Sequence, residues 1–217
     1  MKELADGVWQ LHGKPENSIN VYLLGDVLID SGVAFNRSNI LEELAGREVA
    51  AHAITHAHFD HFGASHAVCK ALGLPLWVGE LDVAAVEAGK QAGRLPRFGE
   101  KLLPAAKGHP VAKALKEGDE VAGFQVLFTP GHSPGHVSFW READRVLVCG
   151  DVMWGVNPFT GRRGVREPFA PLCTDPRSNR ESARRLAALN PELVLFGHGP
   201  ALRDPAAFAA AVGKLPS

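Results

Sequence analysis

The chain alternates short apolar runs with turn-forming residues, and this pattern predicts many short strands. In the N-terminal part, GVWQLHG, INVYLL and VLIDSG are predicted strands, and Gly25-Asp26 between the last two predicts a hairpin turn. The mostly apolar run VAAHAITH suits a buried strand, and LPLWVG predicts another. In the second half, FQVLFTP, HVSFW, RVLVCG and LVLFG are predicted strands of the same kind.

Helical segments are interspersed among these strands. Asn36 or Ser38 is expected to cap a short helix that ends near Leu44. Helices are also predicted over GASHAVCKALG, ELDVAAVEA and DPAAFAAAVGKL, and over a segment that begins with the helix-start pair Asp175-Pro176. Because strands and helices mix throughout, the class is α/β or α+β with sheet packed between helices. Two long stretches between these elements are predicted loops, residues 89–110 and 151–174.

Metal-binding side chains follow the predicted strands at the points where the strands stop. The stretch HAHFDH follows one strand, and His132 in TPGHSPGH follows another. Asp151 ends the run VLVCGD, and His198 ends VLFGH. Loops at the ends of one set of strands gather in one crevice, so these segments are expected to meet. Six consecutive residues cannot all surround one tetrahedral ion, so two adjacent ions are predicted, each completed by ligands from distant segments.

The composition is that of an ordinary globular protein, and it narrows the classes of partner. The chain has 217 residues, of which 46% are hydrophobic and 22% charged, and its formal net charge is -1. No global basic field therefore predicts binding to nucleic acid or to an anionic membrane, and a small molecule is the expected partner. No run approaches the roughly 18 apolar residues of a membrane span, and the N-terminus MKELADGVWQ does not read as a secretory signal. Three widely spaced cysteines, none in a CxxC pair, predict buried thiols and a reducing cytoplasm.

The ordered set of motifs resembles that of the metallo-β-lactamase-fold hydrolases over nearly the whole chain. The HxHxDH loop, a later single histidine, an aspartate at a strand end and a final histidine occur in the family's order. The resemblance implies one domain over residues 1–217, an α/β fold built as a four-layered αβ/βα sandwich with the site at one edge. It implies a first metal on His56, His58 and His132, a second metal on Asp60, His61 and His198, a bridging ligand in Asp151, and a supporting carboxylate in Asp30 that does not touch metal.

The resemblance also implies a hydrolytic mechanism that needs no side-chain nucleophile. Zinc lowers the pKa of its bound water from about 15.7 to roughly 7. A hydroxide that bridges two such ions would attack a carbonyl or phosphoryl centre. Asp60 is the candidate catalytic residue, because it can orient the hydroxide or carry a proton. Two divalent ions are the expected cofactors, with zinc first and iron or manganese as alternatives that the same ligands suit.

For the substrate, TPGHSPGHVSFW followed by GD resembles the glyoxalase II group, thioester hydrolases that act on S-acyl-glutathione. The stretch GVNPFTGRRGVREP departs from the Gly-rich segment of that group, and only 19 of the 217 residues follow His198. Both features favour short relatives acting on a thioester or another ester-type acyl substrate. Two alternatives stay open, a lactonase of the same fold and a mononuclear-iron oxygenase like the persulfide dioxygenases. Asp151 argues against β-lactam hydrolysis, because true β-lactamases of the fold generally lack that aspartate.

Other polar residues carry weaker expectations. Arg162, Arg163 and Arg166 follow Asp151 and are candidates to bind an anionic tail such as a carboxylate or phosphate. The stretch 89–110, with Arg94, Arg97 and Lys101, is a candidate lid. His136 is expected to support the structure, and Tyr22, the only tyrosine, to lie in the core although lactonases of the fold use a tyrosine near the site. The remaining histidines outside the motifs are interpreted as ordinary residues, namely His12, His52, His66 and His109.

Overall fold

Two β-sheets lie face to face and carry helices on their outer surfaces. The computed structural model describes residues 1–13, 15–93 and 106–216. The larger sheet has seven strands, β1 to β7, which neighbour one another in chain order. They are β1 (Lys2–Ala5), β2 (Val8–Gln10), β3 (Tyr22–Leu24), β4 (Val27–Ile29), β5 (Ala51–Ala53), β6 (Leu76–Gly79) and β7 (Val111–Leu115).

The second sheet has five strands in the order β14-β11-β10-β9-β8, and a separate two-stranded hairpin joins β12 to β13. The strands of this half are β8 (Glu120–Val121), β9 (Phe124–Phe128), β10 (Val137–Arg141), β11 (Val146–Gly150), β12 (Trp154–Val156), β13 (Arg163–Arg166) and β14 (Leu193–Phe196).

Aspartates begin the two helices that cover the second sheet. The side chain of Asp175 accepts hydrogen bonds from two backbone N–H groups of the first turn of α5, and Asp204 does the same for one N–H of α6. A proline at the first helical position follows each aspartate, as the sequence predicts for α5. The helices are α1 (Arg37–Glu43), α2 (Phe59–Phe62), α3 (Ser65–Leu72), α4 (Val83–Glu87), α5 (Pro176–Ala188) and α6 (Pro205–Gly213).

Three separate apolar clusters divide the molecule into four layers. One cluster packs the first helices on the larger sheet and includes Ile40, Val68 and Leu76. A second lies between the sheets, where Phe124 and Phe139 meet side chains of the larger sheet. The third joins the smaller sheet to α5 and α6, through residues such as Leu186, Phe196 and Phe208. This order of helix, sheet, sheet and helix confirms the predicted αβ/βα sandwich.

The structure differs from the sequence prediction in the cap of α1 and in several short strands. Neither Asn36 nor Ser38 caps α1 through its side chain, because Asn36 Oδ1 instead accepts from Val33 N in the preceding 3-10 turn, at 2.9 Å. The predicted loop 151–174 contains the β12–β13 hairpin. Strands β1, β7 and β8 were not predicted, since none of them contains a continuous apolar run. Residues 94–105 of the predicted 89–110 loop, including Arg94, Arg97 and Lys101, lie outside the described residues.

The direction of the strands determines where the site forms. In the larger sheet, β4 and β5 are parallel. In the smaller sheet, β11 is parallel to β14, and β9 runs in the same direction because both β9 and β11 are antiparallel to β10. The predicted site residues follow the ends of these five strands: Asp30 after β4, the HxHxDH segment after β5, His132 after β9, Asp151 after β11 and His198 after β14.

Candidate metal centre

The segment from Thr55 to Phe62 passes from extended chain into a single helical turn. His56 lies in the extended part after β5, and His58 is the extended residue at which α2 begins. Helix α2 then carries Asp60 and His61 round its one turn. The sequence predicts a loop here. In the structure, the first two histidines precede a short helix, and the other two potential ligands lie on it.

All seven predicted ligands come together: six of them form two sets of three, and Asp151 groups with His56 of the first set and His61 of the second. His56, His58 and His132 form one set, and Asp60, His61 and His198 form the other. Within each set, one nitrogen or oxygen atom per residue lies within 4.8 Å of the others. Each set therefore offers three ligand atoms from two distant parts of the chain.

Asp151 lies between the two sets. Its Oδ2 atom is 3.4 Å from Nε2 of His132, in the first set. The same oxygen is 3.6 Å from Nε2 of His61 and 3.3 Å from Nε2 of His198, in the second. One carboxylate thus faces ring nitrogens of both sets, which is the arrangement that a ligand shared by two ions requires.

The donor atoms fit metal ions better than they fit one another. Within the part of the chain that the structure describes, Nε2 of His56, Nε2 of His132 and Oδ1 of Asp151 are buried without a hydrogen-bond partner. Unpaired buried polar atoms are costly, and a cluster of them calls for an explanation such as a bound ion. Imidazole nitrogen and carboxylate oxygen are ligands of zinc and of several transition metals, so the residues present fit the implied ions.

Burial keeps the three histidines of the first set neutral. It lowers the pKa of His56 and His132 well below the usual histidine value, and neighbouring histidines lower it further. Burial likewise lowers the pKa of His58 to about 4. These three rings are therefore unprotonated at neutral pH, which is the form that binds metal.

In the second set, nearby carboxylates determine the protonation of His61 and His198. Burial opposes the charge of His61 and His198, but Asp151 outweighs it, together with Asp30 for His61 and Asp60 for His198. The pKa of His61 therefore lies well above its usual value, and that of His198 rises to about 10. Burial also disfavours the charge of Asp151, yet His198 and His61 hold its pKa well below the usual range. Without an ion, the two histidines hold protons between the carboxylates, and a bound cation would take the place of those protons.

Four histidine rings are oriented by partners at their Nδ1 atoms. When Nδ1 is engaged by the protein, Nε2 is left to face the centre, and such partners fix both ring orientation and tautomer. The four contacts are His56 with Thr55 Oγ1 at 3.0 Å, His61 with Asp30 Oδ2 at 2.8 Å, His132 with Cys173 Sγ at 3.6 Å, and His198 with the backbone oxygen of Ser18.

Asp30 supports the HxHxDH segment, as the resemblance implies. Its carboxylate accepts hydrogen bonds from Thr55 N at 2.7 Å, from Thr55 Oγ1, and from Nδ1 of His61. Asp30 itself has φ +60, a conformation that costs energy for a residue other than glycine. The backbone at this point is held so that the carboxylate reaches the loop.

His136, predicted to be structural, orients the shared aspartate. Its Nε2 accepts a hydrogen bond from Asp151 N at 3.1 Å, and its Nδ1 contacts Thr129 Oγ1 at 2.9 Å. Burial lowers the pKa of His136 to about 3, so the ring stays neutral and keeps Nε2 available as an acceptor. The second histidine of GHSPGH thus holds the backbone of Asp151 in place.

The sequence prediction missed Asp82, a buried carboxylate that connects two ligand-bearing segments. Its Oδ2 accepts from Ala57 N at 2.9 Å, between His56 and His58. The same oxygen accepts from Ser133 Oγ at 2.7 Å, and Oδ1 accepts from Gly135 N at 2.7 Å, both in the segment of His132. In the sequence, Asp82 stands in a predicted helix, and no pattern distinguishes it from a solvent-facing residue.

The segment of the last ligand is fastened to the beginning of the chain. Asn20 donates from Nδ2 to the backbone oxygens of Phe196 and Gly199, and its own N–H bonds to the oxygen of Gly197. Tyr22, in the core as predicted, donates its hydroxyl to the oxygen of Phe196 at 2.7 Å. A Cβ atom on Gly197 would lie 2.0 Å from Asp151 Oδ1, so glycine is required for this close approach.

A cavity of about 280 Å³ opens beside the centre. Ligand residues such as His58, Asp60 and His132 form one side, and Trp154, Phe159 and Leu172 form another. Within the described chain, the residues that line this cavity include no lysine or arginine. Arg163 lines two neighbouring cavities instead, and Arg162 is exposed. Arg166 lies opposite Trp154 in the hairpin, with its guanidinium turned to the backbone oxygens of Gly164 and Arg162.

A chain of buried polar groups extends from His52 to the metal centre. His52 contacts Leu28 O through Nδ1 at 3.0 Å and Ser65 Oγ through Nε2 at 2.8 Å. Ser65 contacts Ser31, whose hydroxyl donates to the oxygen of His61 at 3.1 Å. His52 is thus a buried support of the loop that carries His61.

This environment predicts a measurable pH dependence. Burial lowers the pKa of His52 to about 4 from 6.5. The unfolded chain therefore takes up this proton near pH 6.5, the folded chain resists until about pH 4, and stability is lost as the pH falls. From pH 7 to pH 5, the free energy of unfolding should fall by about 2 kcal/mol more in the wild type than in His52→Gln. Urea titrations at several pH values measure this, and equal slopes for the two proteins would contradict the assignment.

Comparison with known sequences gives a family. Residues 15–198 match the family model described as the metallo-beta-lactamase superfamily. The chain is 29% identical to the probable metallo-hydrolase YflN of Bacillus subtilis (strain 168), over 91% of this chain and 85% of that protein. It is 30% identical to a hydroxyacylglutathione hydrolase of Bdellovibrio bacteriovorus, over 78% of this chain and 56% of that longer protein.

Comparison with solved structures agrees. TTHA1623, crystallised in a di-iron-bound form, superposes with a TM-score of 0.62 at 31% identity, over 90% of this chain and 88% of that one. BJP-1, a subclass B3 metallo-beta-lactamase of Bradyrhizobium japonicum, gives a TM-score of 0.73 at 23% identity, over 99% and 89%. The second likeness concerns the fold alone. Among the described helices, none is long and apolar enough to cross a membrane.

Proposed function

The chain belongs to the metallo-beta-lactamase superfamily, and on that premise we propose that it is a hydrolase of ester-type acyl bonds, thioesters included, that works with two divalent metal ions. The observation that carries the proposal is the position of Asp151, whose Oδ2 faces His132 of one set and His61 and His198 of the other. When bound, the two ions would lower the pKa of a water molecule, and their positive charge would polarise the scissile carbonyl.

The residues of the chain would then hold the two ions and act on the water between them and the substrate. His56, His58 and His132 would hold one ion, Asp60, His61 and His198 the other, and Asp151 both. Asp60 keeps part of its surface open to the cavity and contacts His198 Nε2 at 3.4 Å. Burial opposes its charge, but His61 and His198 lower the pKa of Asp60, so its carboxylate is ionised and can accept a hydrogen bond that orients the water.

Relatives support acyl chemistry and two ions. The hydroxyacylglutathione hydrolase of Bdellovibrio bacteriovorus gives precedent for a thioester substrate, although this chain spans about half of that protein. TTHA1623 gives precedent for two ions of iron, so zinc and iron are both proposed, with manganese as a third alternative. The proposed partner is a small molecule, and the proposed compartment is the cytoplasm.

Two alternatives make different demands on the site. A lactonase of this fold would use a tyrosine near the ions, but Tyr22 donates its hydroxyl to Phe196 O and does not line the cavity. A mononuclear-iron oxygenase would use a single ion, whereas the described residues offer a second set in Asp60, His61 and His198. The geometry therefore favours a two-metal hydrolase of open-chain esters or thioesters over both alternatives.

Metal analysis with a substrate panel tests the proposal. We expect about two ions per chain by elemental analysis of the purified protein. We also expect turnover of thioesters or simple esters above that of lactones, phosphodiesters, sulfate esters and a β-lactam. Removing the ions with a chelator should abolish turnover, and adding zinc or iron should restore it. One iron per chain with oxygen consumption would favour the oxygenase instead, and no turnover by metal-replete protein would refute the hydrolase.

A further inference from the structure

We propose that the substrate places an uncharged apolar group, preferably an aromatic ring, against the wall of the cavity that Trp154, Pro158, Phe159 and Leu172 form beside the metal centre. This surface is called the apolar wall below. The inference names the substrate class and rests on the proposed hydrolase function. It rests also on the contacts of the wall's own side chains, given next.

The apolar wall is a packed aromatic surface. Trp154 and Phe169 meet edge to face with ring centroids 5.7 Å apart, and Phe169 and Phe159 lie 5.1 Å apart. Trp154 is buried, whereas Phe159 is 77% exposed and Phe169 is 37% exposed. Phe159 lines the cavity, and Phe169 packs beside it without lining it. Exposed rings that cluster next to a cavity, rather than being scattered singly, mark a binding surface.

The same wall reaches the metal ligands. The Trp154 ring lies 5.4 Å from the His198 ring and 6.4 Å from the His132 ring, centroid to centroid. His198 and His132 belong to the two different ligand sets, so Trp154 is close to both halves of the centre. A scissile carbonyl at the ions would therefore have the apolar wall within the length of a few bonds.

This position determines the chemistry of the group that fits. An apolar group leaves water when it covers the wall, which is favourable in proportion to the area buried. A carboxylate placed against Trp154, Phe159 and Leu172 would lose its hydration, because none of these side chains offers it a charged partner. The geometry thus favours a substrate with an aromatic ring, on either its acyl group or its leaving group, over one whose groups are short or acidic.

The competing substrate class has an anionic tail that would bind Arg162, Arg163 and Arg166. Arg163 lines cavities formed with α6 and with residues 15–18, not the cavity of the metal centre. An acidic acyl group would have to reach away from the apolar wall to meet these side chains. A succinyl substrate therefore distinguishes the two classes.

The kinetic test uses thioesters that share one leaving thiol, N-acetylcysteamine, and differ in the acyl group. For the metal-replete protein, kcat/KM for phenylacetyl should exceed that for acetyl by about tenfold, a usual discrimination for an apolar pocket, and succinyl should be the poorest. Phe159→Ala should reduce the ratio to less than about threefold, and Phe159→Leu should restore part of it. Phe35→Ala changes a phenylalanine that is 74% exposed outside this cavity and should keep the wild-type ratio. Comparing S-ethyl phenylthioacetate with S-benzyl thioacetate shows whether the ring belongs to the acyl or the thiol side.

A binding measurement keeps the inference testable apart from catalysis. Calorimetry on the metal-replete protein should show phenylacetate binding several-fold more tightly than acetate or succinate, with the difference lost in Phe159→Ala. Equal binding of the three acids, a preference for succinate, or an unchanged preference in Phe159→Ala would overturn the inference. If phenylacetate binds selectively while no thioester is turned over, the apolar wall stands and the proposed hydrolase function fails.

Discussion

Replacing Asp151 with alanine is expected to remove metal from the centre and to lower kcat by roughly 1,000-fold or more, since ions at such sites supply several kcal/mol of transition-state stabilisation. The physical reason is that one carboxylate oxygen faces ring nitrogens of both ligand sets at 3.3 to 3.6 Å. Asp151 also stabilises positive charge near His61 and His198, and the alanine variant loses that stabilisation. Elemental analysis and the thioester assay measure the two effects.

The effect should be separable from general instability. Asp204→Ala removes the N-cap of α6 and should cost about 1 kcal/mol of stability, yet it should retain both ions because α6 supplies no ligand. His58→Ala should lose the ion of its own set and keep the other. Full metal occupancy in both Asp151→Ala and His58→Ala would refute the ligand set.

Replacing Asp82 with asparagine is the second large effect that we expect. An amide keeps one acceptor oxygen and presents an NH₂ group to donors that now meet a carboxylate, namely Ala57 N, Ser133 Oγ and Gly135 N. The segments of His58 and His132 would then separate or rotate. Metal affinity of the set formed by His56, His58 and His132 should fall by about 10–100-fold, the usual cost of removing such a support.

Asp30→Asn provides the comparison, because Asp30 contacts His61 of the other set directly and reaches His56 only through Thr55. In a His198→Ala background, which leaves the first set intact, Asp82→Asn should weaken the remaining ion and Asp30→Asn should do so less. In a His58→Ala background the order should reverse. Chelator competition measures each affinity, and unfolding of the metal-free proteins monitors stability. If the two substitutions act alike in both backgrounds, Asp82 is a structural residue without a specific link to one set.

The clustering of the candidate ligands was predictable, because each follows a strand whose apolar run is clear in the sequence. Asp151 ends VLVCG, and His198 follows LVLF, so the strand pattern alone indicates which edge the side chains share. The resemblance to a family then divided them between two ions. The four layers follow from the same apolar runs, since residues such as Val126 and Leu127 alternate between the inner and outer clusters.

Other features depend on contacts that no local pattern encodes. Asp82 matters because two loops far apart in sequence meet at its carboxylate, and Cys173 because it lies 3.6 Å from Nδ1 of His132. The β12–β13 hairpin contains few apolar residues in alternation, so its sequence predicted a loop and hid the wall formed by Trp154 and its neighbours. Tertiary contacts, rather than propensity, determine all three.

The bonds between Asn20 and the Phe196–Gly199 segment have a consequence for the timing of assembly. These residues are 176 or more positions apart in the chain. At a synthesis rate of about 5–20 residues per second, roughly 10–35 seconds separate their emergence. The HxHxDH loop is therefore made long before its second set of ligands can close. His198, the last of the candidate ligands to be synthesised, sets the earliest moment at which the second set is complete.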